Sequence, residues 1–175
     1  MRKFKRILIT GIHGSGGSFL AGHILKKKIS AKIFGIYNNQ SDQNIKDIKK
    51  YIKTYKCNLC DFKKTKNIIS SIKPDLIFHL ASNADVRLSF DQPRDIILNN
   101  NNSTINLLES VRLSKLIKPV VIMCSTSEVY GEVKKKDLPI NENNYINPNN
   151  PYAVSKTFQD LLAQNYFKNF GLKII

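Results

Sequence analysis

The stretch Lys5-Arg6-Ile7-Leu8-Ile9-Thr10-Gly11-Ile12-His13-Gly14-Ser15-Gly16-Gly17-Ser18-Phe19-Leu20-Ala21 reads as a short apolar strand, a glycine turn and the start of a helix in immediate succession. Phe19, Leu20, Ala21, Ile24 and Leu25 carry the helical spacing. Gly11, Gly14 and Gly17 form a Gly-x-x-Gly-x-x-Gly pattern in the strand-turn-helix setting that makes such a pattern meaningful. Glycines let the backbone approach a pyrophosphate, and the helix N-terminus meets it with free N–H groups. The expectation is a dinucleotide-binding turn, with His13 a variable loop residue rather than a catalyst.

Outward from this turn, strands and helices alternate. Residues 31–37 read as the second strand, and 44–55 as a lysine-rich surface helix with Ile45, Ile48 and Ile52 on its apolar face. A short third strand over 56–59 follows, and then a helix over 62–72, closed by Pro74. A fourth strand over 75–82 runs into the small residues Ala81 and Ser82, with His79 packed in the core. Pro93 precedes a helix over 96–113 whose core face is Ile97, Ile105, Leu108 and Val111. The asparagines at 99–102 sit inside that helix, and a buried polar group there needs a partner. Val120-Val121-Ile122-Met123 is the fifth strand. A polar loop over 134–150 leads to a helix with Leu161, Leu162 and Phe167 among its apolar positions. Gly171 closes that helix and a sixth strand begins. This alternation predicts an α/β fold with a doubly wound parallel sheet of Rossmann type, as one domain over residues 1–175.

The chain has 175 residues, 42% of them hydrophobic, which suits a globular domain. No apolar run reaches the about 20 residues of a membrane helix. The basic start Met1-Arg2-Lys3-Phe4-Lys5-Arg6 precedes too short an apolar run for a signal peptide, so a cytoplasmic location is expected. The net charge of +15 is dispersed over short lysine groups without interleaved aromatics. That pattern argues against nucleic acid and for solvated faces that also attract a small anionic substrate. Cys57-Asn58-Leu59-Cys60 has metal or redox spacing but no second Cys/His pair, so Cys57, Cys60 and Cys124 read as plain thiols and no metal is expected.

Chemistry gathers after the fifth strand, at Cys124-Ser125-Thr126-Ser127-Glu128-Val129-Tyr130-Gly131. Ligands in open α/β sheets bind beyond the carboxyl ends of strands. An extended backbone through this stretch places Thr126 and Glu128 on one face, a hydroxyl donor beside a base. Tyr152 and Lys156 stand at i and i+4 on a helix and share a face. An ammonium near a phenol lowers the phenol pKa and makes Tyr152 a usable base. The second strand ends in Asn38-Asn39-Gln40-Ser41, with neither the acid that suits the NAD ribose nor the arginine that suits NADP. NAD and NADP both stay open, with Asn38 or Asn39 as a ribose partner.

The glycine turn, Phe78-His79-Leu80-Ala81-Ser82, Ser125-Thr126-Ser127-Glu128-Val129-Tyr130-Gly131 and Pro151-Tyr152-Ala153-Val154-Ser155-Lys156 together resemble the extended short-chain dehydrogenase/reductase family of nucleotide-sugar epimerases and dehydratases. Within that family the resemblance is greatest to the GDP-mannose 4,6-dehydratases. It implies that Gly11, Gly14, Ser15, Gly16 and Gly17 cradle the pyrophosphate, that Asn58 and Leu59 lie by the adenine, and that Ala81 and Ser82 lie by the nicotinamide. It implies Tyr152 with Lys156 as the base at the sugar 4-hydroxyl, both of them also cofactor-binding, Thr126 on the 4-oxygen and Glu128 as the C5 base. Asn100 matches a family asparagine ahead of Ser103-Thr104. The implied activity converts GDP-mannose to its 4-keto-6-deoxy product, in a homo-oligomer when full length. A UDP-sugar 4-epimerase, a UDP-glucuronate decarboxylase or an inactive dinucleotide-binding fragment are the alternatives. Family members run to about twice a single-domain length, so the last strand and the small substrate domain are expected to fall outside these residues.

Overall fold

The computed structural model describes residues 4–114 and 118–175, so Met1, Arg2 and Lys3 of the basic start lie outside the described residues. Six strands form one sheet: β1 (Arg6–Thr10), β2 (Lys32–Tyr37), β3 (Ile52–Lys56), β4 (Leu76–His79), β5 (Val120–Met123) and β6 (Lys173–Ile174). The helices are α1 (Ser15–Lys26), α2 (Phe62–Ile72), α3 (Val86–Asp91), α4 (Pro93–Arg112) and α5 (Pro151–Phe170). The strand order is β3-β2-β1-β4-β5-β6, and every pairing is parallel. The expected doubly wound Rossmann-type sheet is therefore present. Its order reverses between β1 and β4, which opens a crevice beyond their carboxyl ends.

Strand alternation builds a core on each face. Ile7, Ile9, Ile33 and Leu76 pack with Ile12, Ile45 and with Ala21 and Ile24 of α1. Leu8, Ile36, Ile77 and Val121 pack with Ile69 and Ile72 of α2, Leu107, Leu108 and Val111 of α4, and Tyr166 of α5. Among the described residues no helix is long and apolar enough to cross a membrane.

Several expectations are corrected. The helix expected over 44–55 is instead two 3₁₀ turns, Gln43–Ile45 and Lys49–Tyr51, followed by β3. Ile45 and Ile48 pack inward as that pattern suggested, but Ile33 to Tyr37 offer a free edge, and residues 52–56 pair with it in register. The third strand therefore starts four residues before the expected Lys56 and leaves Asn58 beyond its end. Helix α3 was not expected; Asp85 caps it by accepting from the Leu88 N–H at 2.9 Å. The buried face of α4 runs through Ile96, Asn100, Ser103, Thr104, Leu107, Leu108 and Val111, while Ile97 and Ile105 are only half-buried. In α5, Leu161 and Phe167 are exposed and the buried stripe is Tyr152, Ser155, Lys156, Gln159, Ala163 and Tyr166. Both helices turn polar residues inward because those residues have partners there.

The central partner is His79 at the end of β4. Its Nδ1 lies 2.9 Å from Thr10 Oγ1 and its Nε2 3.0 Å from Thr104 Oγ1. Thr104 donates its own hydrogen to the Asn100 carbonyl at 3.0 Å, and Thr10 accepts from the Ala81 N–H at 3.1 Å. The hydroxyl hydrogens assign the tautomer: Thr10 donates to Nδ1, and Nε2–H donates to Thr104. The core histidine expected from sequence is thus also a two-sided tie between the strand ends and α4. Burial, and secondarily the charge of Lys156, hold its pKa down at about 3. The unfolded chain takes up that proton near 6.5 and the folded protein near 3, so stability is full above 6.5 and falls as pH drops through the interval. Between pH 6.5 and 5 this group removes about 2 kcal/mol. Urea unfolding across that range should show the loss in the parent protein and a much flatter dependence in His79→Gln.

Candidate functional site

The crevice is built first by backbone. Gly11 leaves β1 at φ +70, a conformation that favours glycine. Its N–H donates to the Ile36 carbonyl at 2.8 Å, and its carbonyl accepts from the Gly14 N–H at 2.9 Å. A Cβ on Gly17 would stand 2.4 Å from the Gly11 oxygen and 2.8 Å from Ile12 Cα, so glycine is what lets α1 lie against β1. A Cβ on Gly16 would meet nothing within 4 Å. Helix α1 then begins with Gly14 as N-cap, no side-chain cap and no acid in its first turn. Its first N–H groups and the positive end of its dipole are left for an anion.

A cavity of about 390 Å³ lies beside this turn, and Gly11, Gly14, Asn38, Asn58, Leu59, Ala81 and Ser82 all line it. Seven expected cofactor positions are thereby brought together. Ser15 and Gly16 are exposed on the first turn of α1, and Gly17 is buried beneath it. The glycine cradle, the uncapped helix start and the polar wall fit a nicotinamide dinucleotide.

His13 is more than a variable loop residue. It is buried and stacked on Tyr37 with ring centroids 3.9 Å apart. Its Nδ1–H donates to the Gln40 carbonyl at 3.0 Å, and its carbonyl accepts from Asn44 Nδ2 at 2.8 Å. It ties the segment after β2, which carries Asn38, to the glycine turn. Nothing in the glycine pattern signals this, because the partners are 27 and 31 residues away.

The second wall comes from β5 and α5. The backbone is extended at Thr126 and then turns into a 3₁₀ segment, Ser127–Tyr130. Strand alternation therefore does not relate Thr126 to Glu128; Thr126 Oγ1 instead accepts from the Glu128 N–H at 3.3 Å. Gly131 closes the turn at φ +62, where a Cβ would stand 2.0 Å from the Asn147 oxygen. Asn150 Nδ2 donates to Glu128 Oε2 at 2.9 Å, while Asn150 Oδ1 caps α5 by accepting from the Ala153 N–H at 2.8 Å. One buried side chain thus sets both the carboxylate and the start of the helix bearing Tyr152. Sequence reading missed Asn150, although an asparagine before Pro151 is a recognisable cap signal.

Tyr152 is buried, and burial raises its pKa; the Thr126 hydrogen bond pulls down, and Cys124 and Glu128 push up. The expected lowering by Lys156 is not found. Lys156 shares the face but turns its ammonium onto the Cys124 carbonyl and, at 2.9 Å, Gln159 Oε1. Burial lowers the Lys156 pKa, against the opposing pull of Cys124 and Asp160. Asn100 is fully buried with its amide satisfied: Oδ1 accepts from the Asn83 N–H at 2.7 Å, and Nδ2 donates to Asn83 O at 3.1 Å and Ser155 Oγ at 3.0 Å. It joins the cavity wall after β4 to α5. Cys57 and Cys60 are free thiols whose pKa values burial raises. Among the described residues no cluster of three or more His, Cys, Asp or Glu is placed to hold a metal.

A family profile for GDP-mannose 4,6 dehydratase matches residues 8–175. The chain is 35% identical over 185 positions to dTDP-D-glucose 4,6-dehydratase of Dictyostelium discoideum, covering 98% of this chain and 42% of that protein. It is 31% identical over 180 positions to GDP-mannose 4,6-dehydratase of Vibrio cholerae, covering 96% and 47%. The fold superposes on dTDP-glucose 4,6-dehydratase from Bacillus anthracis in complex with NAD with a TM-score of 0.84, at 25% identity over 97% of this chain and 53% of that one. On the UDP-Glc/GlcNAc 4-epimerase of Campylobacter jejuni the TM-score is 0.86, at 28% identity over 97% and 51%. The chain spans about half the length of the curated relatives it matches.

Two adjacent glycines should respond oppositely to alanine in cofactor-free urea unfolding. Gly17→Ala should lose about 1–3 kcal/mol by overpacking, whereas Gly16→Ala should gain about 0.5 kcal/mol by restricting the unfolded chain. Asn150→Ala should cost about 1 kcal/mol through the lost helix cap.

Proposed function

The chain belongs to the GDP-mannose 4,6 dehydratase family, within the extended short-chain dehydrogenases/reductases, and on that premise we propose that it carries the cofactor-binding and catalytic half of a nucleotide-sugar 4,6-dehydratase. GDP-mannose is the proposed substrate. The observation that carries the reading is the Glu128 carboxylate, held by Asn150 on the turn that also presents Thr126 to Tyr152.

Gly11, Gly14 and the first turn of α1 would take the pyrophosphate, Asn58 and Leu59 the adenine side, and Ala81 and Ser82 the nicotinamide side. Asn38 brings neither a carboxylate nor a guanidinium to the ribose, so NAD and NADP are both admitted. When bound, a nicotinamide dinucleotide would supply the hydride acceptor for sugar C4 and the hydride donor for C6, and its oxidised, positively charged form would favour the Tyr152 phenolate. Tyr152 takes the proton from the 4-hydroxyl, and Thr126 holds the 4-oxygen. The C4 ketone acidifies the C5 hydrogen, which Glu128 removes. The C6 hydroxyl leaves as water. Two protons are taken, at O4 and C5, and two are given, to the leaving hydroxide and back to C5, so the sugar loses one water with no net redox change.

A 4-epimerase needs Tyr152 but no base at C5, and the structural likeness to 4-epimerases makes it the second reading. The basic surface suits a diphosphate-bearing substrate. Leu98, Val154, Phe158 and Leu161 are exposed on α4 and α5, the kind of surface a homo-oligomer covers, and a cytoplasmic setting is part of the proposal.

The test is incubation with NAD or NADP and, separately, GDP-mannose, dTDP-glucose and UDP-glucose, with products read by mass spectrometry. Loss of one water from GDP-mannose is expected, reduced about 10²–10⁴-fold in Tyr152→Phe and in Glu128→Gln. Interconversion of UDP-sugars without water loss, indifferent to Glu128→Gln, would establish the epimerase reading instead. Absence of turnover on every sugar would remove the dehydratase proposal for this chain.

A further inference from the structure

The stripe of α5 that carries Tyr152 and Lys156 continues at the next turn to Gln159, a polar side chain only 2% exposed. Gln159 sits between two buried groups. Its Oε1 accepts from the Lys156 ammonium at 2.9 Å, and its Nε2 donates to the Asn100 carbonyl at 2.8 Å. The amide orientation is forced, because an ammonium only donates and a carbonyl only accepts. The same Asn100 carbonyl accepts from Thr104 Oγ1 at 3.0 Å, and Thr104 accepts from His79 Nε2. A continuous line of buried hydrogen bonds therefore runs from Thr10, one residue before the glycine turn, through His79, Thr104, the Asn100 carbonyl and Gln159 to Lys156.

Lys156 spends a second N–H on the Cys124 carbonyl. One N–H of the ammonium is left for Tyr152 or for a bound hydroxyl. Without Gln159 a buried ammonium would lack one of its two protein acceptors, and burial favours the neutral amine.

We propose that Gln159 is a positioning residue for Lys156: bridging the ammonium to the Asn100 carbonyl, it keeps the amine charged and fixed with one N–H free for the reacting site. The proposal rests on reading Lys156 as the partner of Tyr152. Gln159 is buried and does not line the cavity beside the glycine turn, so it acts through the lysine.

Other groups face the same ammonium. Cys124 from the end of β5 and Asp160 from α5 both favour its charged form, and His79 from β4 feels its charge in return. Tyr152 lies one turn back on the same face of α5. These stay constant when only Gln159 is changed, so a shift in Lys156 titration reports the bridge.

The experiment follows the Lys156 side chain by NMR in the cofactor-free protein, with Lys156→Met to assign its signal. Gln159→Ala should move the Lys156 midpoint about one pH unit lower, a roughly tenfold change in the ratio of charged to neutral amine. Gln159→Glu should move it higher, since a carboxylate is a stronger acceptor. An unchanged midpoint in both variants would overturn the proposal. Should Gln159→Ala fail to fold, the parent protein supplies a second readout. The Gln159 side-chain amide protons should exchange slowly and shift as Lys156 titrates. Exchange as fast as that of the exposed Gln164, with no such shift, would equally overturn it. Neither readout needs a cofactor or a sugar, so the bridge can be tested even in a chain that turns nothing over.

Discussion

The hydroxyl of Thr10 is held between the Ala81 N–H and His79 Nδ1, and this small contact joins the ends of the two strands where the sheet reverses its order. Strands β1 and β4 are neighbours in the sheet but leave in opposite directions, one into the glycine turn and one toward Ala81 and Ser82. The cavity exists because they diverge, and its width depends on how their ends are fixed. Thr10 and His79 fix them without bulk, so that a Cβ on Gly11 would already touch the Ala81 backbone at 3.0 Å. His79 passes the constraint to α4 through Thr104, and Asn100 passes it to α5 and to the loop after β4.

This arrangement carries an electrostatic cost that falls on the same residues. Asn100, Thr104, His79 and Gln159 are nearly or wholly buried, and they are tolerable there because each is hydrogen-bonded. Lys156 has two oxygen acceptors among them while burial pulls its pKa down, and burial pushes that of Tyr152 up. A positive charge near the phenol would act against that burial, because it favours the phenolate.

Much of this was legible in the chain because the signals are local. Glycine at positions 11, 14 and 17 marks the turn, Phe62–Ile72 is a helix bounded by Asp61 and Pro74, and Val120–Met123 is a strand. Ile45, Ile48 and Ile52 mimic a helical face at spacings of three and four, but the open edge of β2, distant in sequence, claimed residues 52–56 for a strand. Apolar spacing also misplaced the inner faces of α4 and α5, because Asn100, Lys156 and Gln159 go inside on account of one another. At the site, Thr126, Glu128, Tyr152 and Lys156 were found as residue types at a strand end and on a helix face. Asn150, Gln159 and the clamp by His13 were not, since each acts through partners in other elements.

We propose that the Gly11–Gly17 turn and the cavity beside it receive a nicotinamide dinucleotide in this 175-residue chain. The most direct measurement titrates the protein with NADH and, separately, NADPH, following nicotinamide fluorescence. Saturable enhancement with at least one of them, removed by excess oxidised cofactor and absent in a Gly11→Val variant, is the predicted result. A signal that stays linear for both, with the protein shown to be folded, would contradict it.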